Sequence, residues 1–460
     1  MNILFAVFVA LFSTIMLSTT FIDVGLVVAI FMIYTSISFY GYLTAVISDV
    51  EGNLDFLKRS VLRNWILKWN DNDNTIDFSF YGWITGAHFV FLGDSVDKGT
   101  GDITIVKALV LFKKKYPNRV NLIIGNRDSN KIRMYFELLK RIIPEDQPYW
   151  VEKKTRVDLN KYLKKIGKTK DTCTDFEILK WILEFTMGAK GQEENRRKEL
   201  AEIKKVSVEE ITDEKVVQSY INHISPTEEN IKNNKCYLFD YLKLGVIVCR
   251  IGNTVYTHGA ITKESIGHVP GDDKRYIDAD EWFNKLNAWK NTQIHMYLCG
   301  KIPNELLDYG LPTHGKSITY ANWFDGDNPV EIDQSVVLWA LSNGITKIVT
   351  GHRPHGSSPL LIQAGNKLFW VVSLDTSYSD KNRIAVFSCN ISDDYIDVKG
   401  INEKSEEYSV IVDHITPTKI GKFIKEFIIK ILLPNGNWLG SRYEGYTEVR
   451  EEFKPSELKN

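Results

Sequence analysis

The sequence predicts an α/β fold, a sheet with crossover helices whose strands end in polar loops. Three observations predict it. Short apolar runs recur along the chain, and the early ones stop in Gly-Asp or Gly-Asn. Stretches with apolar residues at helical spacing lie between those runs. The loops after the runs hold carboxylate, amide and imidazole side chains, at the strand ends where α/β folds place their sites.

Taken in order, residues 43–48 read as a buried strand and 54–69 as a helix. Residues 70–77 are a polar loop, and 88–92 (HFVFL) a strand. Residues 103–116 form an amphipathic helix with Lys113, Lys114 and Lys115 near its C-terminus, where cations suit the helix dipole. Residues 120–124 are the next strand and 131–143 a helix. The stretch 144–240 is charged and helix-biased. Residues 246–257 read as a hairpin turning at Gly252-Asn253. Residues 276–345 mix helices and loops, and strands resume at 347–350, 367–374 and 383–390. In the tail, 408–412 is strand-like and 420–432 reads as a basic, apolar helix.

Composition limits the function. The chain has 460 residues, 44% hydrophobic and 25% charged, which is globular and sized for one large or two ordinary domains. Lys+Arg total 57 against 58 Asp+Glu, a net charge of −1, which argues against nucleic acid as a partner. Cys173, Cys236, Cys249, Cys299 and Cys389 are scattered and form no C-x-x-C pair, so reduced thiols are expected and not a disulfide framework or a cysteine zinc site. Residues 1–48 carry one charge, Asp23. The runs 3–17 and 24–42 approach the ~20 apolar residues that span a bilayer, so membrane attachment through the N-terminus is expected. A signal peptide and a buried core segment are the rival readings; the basic n-region of a signal is missing. Lys58, Arg59 and Arg63 follow the runs and would leave the main domain in the cytosol.

Five loops carry the chemistry. They are Ser48-Asp49-Val50-Glu51-Gly52-Asn53, Gly93-Asp94-Ser95-Val96-Asp97-Lys98-Gly99, Gly125-Asn126-Arg127-Asp128, His258-Gly259, and Gly351-His352-Arg353-Pro354-His355-Gly356. Each alone is ordinary turn chemistry. Together they offer oxygen and imidazole ligands suited to a pair of divalent ions about 3.5–4 Å apart.

This set resembles the calcineurin-like metallophosphoesterases, which include the Ser/Thr protein phosphatases, over residues 43 to about 390. The resemblance implies a four-layer β-sandwich flanked by helices, with residues 131–240 as a helical insertion in a domain of residues 42–405. Residues 1–41 would be the membrane segment and 406–460 an extension packed on the domain. It also implies two divalent ions: Asp49 on the first, Asp94 bridging, and Asn126, His258 and His352 on the second. Three positions depart from the family pattern. Glu51 stands for a first-metal His, which favours Mn²⁺, Fe or Mg²⁺ over Zn²⁺. Arg127 stands for a His that assists the leaving group; it cannot donate a proton at neutral pH but can clamp a phosphate. Lys98 stands for a phosphate-binding Arg. Asp97 would orient a neighbour, Arg353 and His355 would face substrate, and Arg197 would reach it if the insertion folds over the site. The expected function is dinuclear-metal hydrolysis of a phosphate ester on a protein or small molecule by metal-activated water. The alternative is a degenerate, non-catalytic scaffold for metal or phosphorylated ligands.

Overall fold

The computed structural model describes residues 42–143, 156–233, 235–311, 314–365, 368–376, 384–413, 418–433, 435–444 and 447–458. The strands are β1 (Thr44–Ile47), β2 (Leu67–Asn70), β3 (Thr75–Phe78), β4 (His88–Phe91), β5 (Val120–Leu122), β6 (Val248–Ile251), β7 (Thr254–Thr257), β8 (Phe324–Asp325), β9 (Asn328–Pro329), β10 (Lys347–Thr350), β11 (Leu360–Ala364), β12 (Phe369–Ser373), β13 (Val386–Ile391), β14 (Tyr395–Ile401), β15 (Glu407–Asp413), β16 (Phe423–Ile424), β17 (Phe427–Leu432), β18 (Trp438–Glu444) and β19 (Thr447–Phe453).

Two mixed sheets form the sandwich. One runs β15-β14-β13-β1-β4-β5, the other β11-β12-β10-β7-β6. In the first, β1, β4 and β5 are parallel; in the second, β7, β10 and β12 are parallel. The sheets share one buried core. Every residue of β1, β7, β10 and β12 is buried, which is why these strands read as unbroken apolar runs. The helix Asp102–Lys115 crosses between β4 and β5 and buries Ile105, Val106 and Leu109. The α/β class is as expected.

Two elements differ from the sequence reading. The helix expected over 54–69 stops at Arg63. The Asn64 side chain accepts from Ile66 N at 3.1 Å and donates to Asn390 at 2.9 Å, turning the chain into a β2–β3 hairpin. The helix expected over 420–432 is instead β16 and β17. The run FIIKIL is rich in β-branched residues, and pairing with β18 outweighs its helical spacing.

The membrane expectation is corrected. Among the described residues no helix is long and apolar enough to cross a membrane. The run 3–17, and all of the run 24–42 except Tyr42, on which that expectation rested lie outside the described residues. The membrane-associated localisation falls with it.

Two buried histidines should contribute less to stability in acid. His223 and His355 are buried, and burial holds His223 well below its usual range and His355 at about 3. Unfolded, both would titrate near 6.5. Between those values the unfolded chain binds more protons, so stability falls as pH drops below about 6.5. At pH 5 each should cost about 2 kcal/mol relative to pH 7.5. Urea unfolding at the two pH values measures the change, and His223→Gln should shift the difference between them by about 2 kcal/mol relative to wild type.

Candidate metal centre

The C-terminal ends of β1, β4, β5, β7 and β10 converge at one edge of the sandwich. Backbone bonds fasten the first two loops together: Asp49 N donates to the Gly93 carbonyl at 3.1 Å, Glu51 N to Asp94 at 3.0 Å, and Gly52 N to Ser95 at 3.0 Å. Asp49, Asp94 and His352 hold φ angles of 42°, 54° and 73°. Such left-handed non-glycine positions cluster at functional sites. Gly351 is required by close approach, since a Cβ there would collide with Asp49 Oδ2.

Asp128 ties the third loop to the second. Its buried carboxylate accepts from Asp94 N, Ser95 N and Gly125 N, each at 2.9 Å, and from Ser95 Oγ at 2.6 Å. Burial and then the adjacent Asp94 carboxylate push it up to about 6. The fifth loop joins through Gly351 N, which donates to the His258 carbonyl at 2.8 Å, and His352 N, 3.1 Å from Asp49 Oδ1.

His258 is fully buried, and its Nδ1 lies 2.7 Å from the Leu92 carbonyl. A carbonyl accepts only, so Nδ1 carries a hydrogen and Nε2 is the ring atom left to face the neighbouring ligands. Nε2 meets Asn126 Oδ1 at 3.0 Å and Asp94 Oδ1 at 3.3 Å. His352 Nδ1 lies 3.0 Å from the same Asn126 oxygen. Ligand atoms of Asp49, Asp94 and His258 all lie within 4.8 Å of one another. Buried acceptors this close repel unless a positive charge lies among them. Burial disfavours the charged form of His258, but Asp94 and then Asp49 outweigh it and raise the imidazole to about 10, so Nε2 carries a proton that a bound cation would displace. Burial, then the Asp375 carboxylate, push Asp49 well up. Burial, then His258, hold His352 neutral at about 3, which suits a ligand. Carboxylate oxygens, an amide oxygen and two imidazoles make a donor set that fits a divalent cation.

Glu51 sits differently. Its Oε1 lies 2.6 Å from Arg127 Nε and its Oε2 3.0 Å from Lys98 Nζ. Arg127 Nη1 reaches Asp97 at 3.2 Å, and its backbone N donates to Asp94 Oδ1 at 2.9 Å. Burial lowers the Arg127 guanidinium, but Glu51, Asp97 and Asp94 outweigh it and raise it above its ordinary value. Lys131, buried, donates to Asp97 at 2.7 Å.

A cleft of about 540 Å³ opens over these groups, lined by Glu51, Asp94, Lys98, Asn126, Arg127, Tyr320, Asn322, His352, Arg353, Pro354 and Asp375. Arg353 is at its rim and donates to the Gly326 carbonyl at 3.0 Å. His355 is behind the loop, buried, with Nε2 3.1 Å from the Ser373 carbonyl. Arg197 does not line the cleft: it pairs with Glu194 at 3.0 Å and with Asp213 at 2.5 Å. Its neighbour Arg196 turns inward to Asp102 at 3.1 Å. Sequence reasoning missed Lys131, Asp128 and Tyr320 as site residues. Lys131 was discoverable, since i,i+4 spacing from Arg127 places both over Asp97. Tyr320, whose ring meets that of His352 at 4.5 Å, had no sequence signal.

No family model matches the chain. Local matches are to Ser/Thr phosphatases. The chain is 34% identical over 55 residues to the serine/threonine-protein phosphatase PP2A-like PPG1 of Saccharomyces cerevisiae, covering 12% of this chain and 15% of that one. It is 43% identical over 49 residues to the phosphatase sitA of Aspergillus fumigatus, covering 11% and 13%. Against the serine/threonine-protein phosphatase SIT4 of Candida albicans it is 39% identical over 50 residues, covering 11% and 16%. The chain thus spans less than a fifth of the length of these relatives. Among solved structures, a cold-active protein-tyrosine phosphatase of a Shewanella species aligns at 13% identity and TM-score 0.43, covering 80% of each chain. A Ser/Thr phosphatase of Saccharomyces cerevisiae aligns at 10% and 0.34, covering 83% of each. Superpositions at that level carry no weight for activity. The five loops, the sandwich that bears them and the local matches agree: the chain resembles the calcineurin-like metallophosphoesterases, in a divergent form with Asp-x-Glu-Gly-Asn and Gly-Asn-Arg-Asp loops.

Asp128→Asn tests how the loops are held. The amide turns an N–H toward donors that need an acceptor, so urea unfolding should show a loss of about 2–3 kcal/mol. Calorimetric Mn²⁺ affinity should fall with it, and unchanged stability would contradict the role given to Asp128.

Proposed function

We propose that the chain hydrolyses phosphate esters with a divalent cation held by Asp49, Asp94, Asn126, His258 and His352. The observation that carries this reading is the convergence of buried ligand atoms, with His258 Nε2 aimed at Asp94 and Asn126, on the floor of a cleft that also holds Lys98, Arg127 and Arg353. A cation bound there supplies charge for the phosphoryl oxygens and acidifies water.

The chain's own residues bind and orient. Asp97, fully buried, takes Lys131 and Arg127 on one oxygen and so fixes the guanidinium plane. Arg127 and Lys98 face the cleft from that anchored position and are suited to phosphate oxygens, with Arg353 at the rim. Oxygen donors outnumber nitrogen ones, which favours Mn²⁺, Fe²⁺ or Mg²⁺ over Zn²⁺. The local matches to Ser/Thr phosphatases support a phosphorylated protein side chain as substrate ahead of a small phosphate ester.

Hydrolysis of p-nitrophenyl phosphate with added Mn²⁺ tests the reading. Chelation should abolish it and Mn²⁺ restore it. Asp94→Asn should leave less than about a tenth of the rate, a loss above ~1.4 kcal/mol in barrier. Metal binding without hydrolysis under any divalent ion would instead support a phospholigand-binding scaffold.

A further inference from the structure

We propose that this centre holds one divalent ion, and that the Arg127 guanidinium stands permanently where a second would lie. The proposal rests on the phosphoesterase reading for the presence of a metal.

One donor set is complete. Asp94 Oδ1, Asn126 Oδ1, His258 Nε2 and His352 Nδ1 converge with neighbouring contacts of 3.0–3.3 Å, and Asp49 adjoins them. The other half of the site is committed differently. Both carboxylate oxygens of Glu51 are engaged by cations, Oε1 by Arg127 at 2.6 Å and Oε2 by Lys98 at 3.0 Å. An ion coordinated by Glu51 would have to displace both. Arg127 is hard to displace. Its side chain is 19% exposed, and it bonds Asp97, which Lys131 also holds. Its Nε lies 3.7 Å from Asp94 Oδ2, the oxygen a bridging carboxylate would offer to another ion. A divalent ion at that oxygen would face the guanidinium at contact distance, where like charges repel strongly in a partly dry site. The guanidinium is therefore the second positive charge, fixed by covalent attachment. Its planar fork can hold phosphate oxygens that an ion would otherwise coordinate.

Metal counting tests this independently of turnover. Full-length protein is stripped with chelator, equilibrated with excess Mn²⁺, freed of unbound ion and analysed for metal per chain, with calorimetry for affinity. The wild type should hold one ion. Glu51→Gln should still hold one, with affinity within about threefold of wild type, because Glu51 is an ion-pair partner and not a ligand. Arg127→Ala removes the harder of the two cations to displace, frees Glu51 Oε1 and should bind a second, weaker ion. Two ions in the wild type, or loss of an ion in Glu51→Gln, would overturn the proposal, and neither measurement depends on the Arg127 variant folding. A count that stays at one in folded Arg127→Ala would remove Arg127 from the role. No ion at all in the wild type would overturn this proposal and the phosphoesterase reading together. One ion without hydrolysis would overturn the phosphoesterase reading alone.

Discussion

Asp94 has to stay ionised where almost no water reaches it. It is 3% exposed, and burial by itself would protonate it. His258 and then Arg127 outweigh burial and hold the carboxyl well below its ordinary range. Much of the surrounding architecture serves that one charge. Asp128 gathers the amides of Asp94, Ser95 and Gly125 and so fixes the turn that bears the carboxylate. The Leu92 carbonyl fixes the His258 ring through Nδ1, and five strand ends bring the partners within reach of one another. An isolated buried carboxylate would be costly, whereas one shared by a cation, an imidazole and a guanidinium is a binding site.

Two peripheral elements brace the loops. From the helix Gln192–Lys204, Gln192 Nε2 donates to the Gly99 carbonyl at 2.7 Å and Asn195 Nδ2 to the Lys98 carbonyl at 3.0 Å. Arg196 holds Asp102, whose Oδ1 in turn accepts from Asp97 N at 3.0 Å. On the opposite flank the buried Lys430 of β17 donates to the Ser358 carbonyl at 2.7 Å and to the His355 carbonyl at 3.2 Å. Glu448 of β19 pairs with that ammonium at 3.3 Å. The loops bearing Lys98 and His352 are each fixed from outside as well as by their own strands.

Motif residues at strand ends were legible in the sequence because their chemistry is local. A glycine, a carboxylate and an apolar run lie within a few positions, and Asp49, Asp94, Asn126, His258 and His352 do come together. What Glu51 does was not legible, because its partners Arg127 and Lys98 come from other loops and only the fold sets those distances. The inward turn of Arg196, and not Arg197, depends on helix rotation within a charged stretch whose pattern gives no clear face. The β17 strand was misread for a related reason. Apolar residues around Lys430 satisfy helical spacing as well as strand burial, and pairing with β18 decides between them.

Anomalous diffraction from crystals soaked in Mn²⁺ tests the central claim most directly. A single peak is expected among Asp94 Oδ1, Asn126 Oδ1, His258 Nε2 and His352 Nδ1, within coordination distance of both imidazoles. Absence of a peak there at saturating Mn²⁺, or a peak held by other side chains, would contradict it.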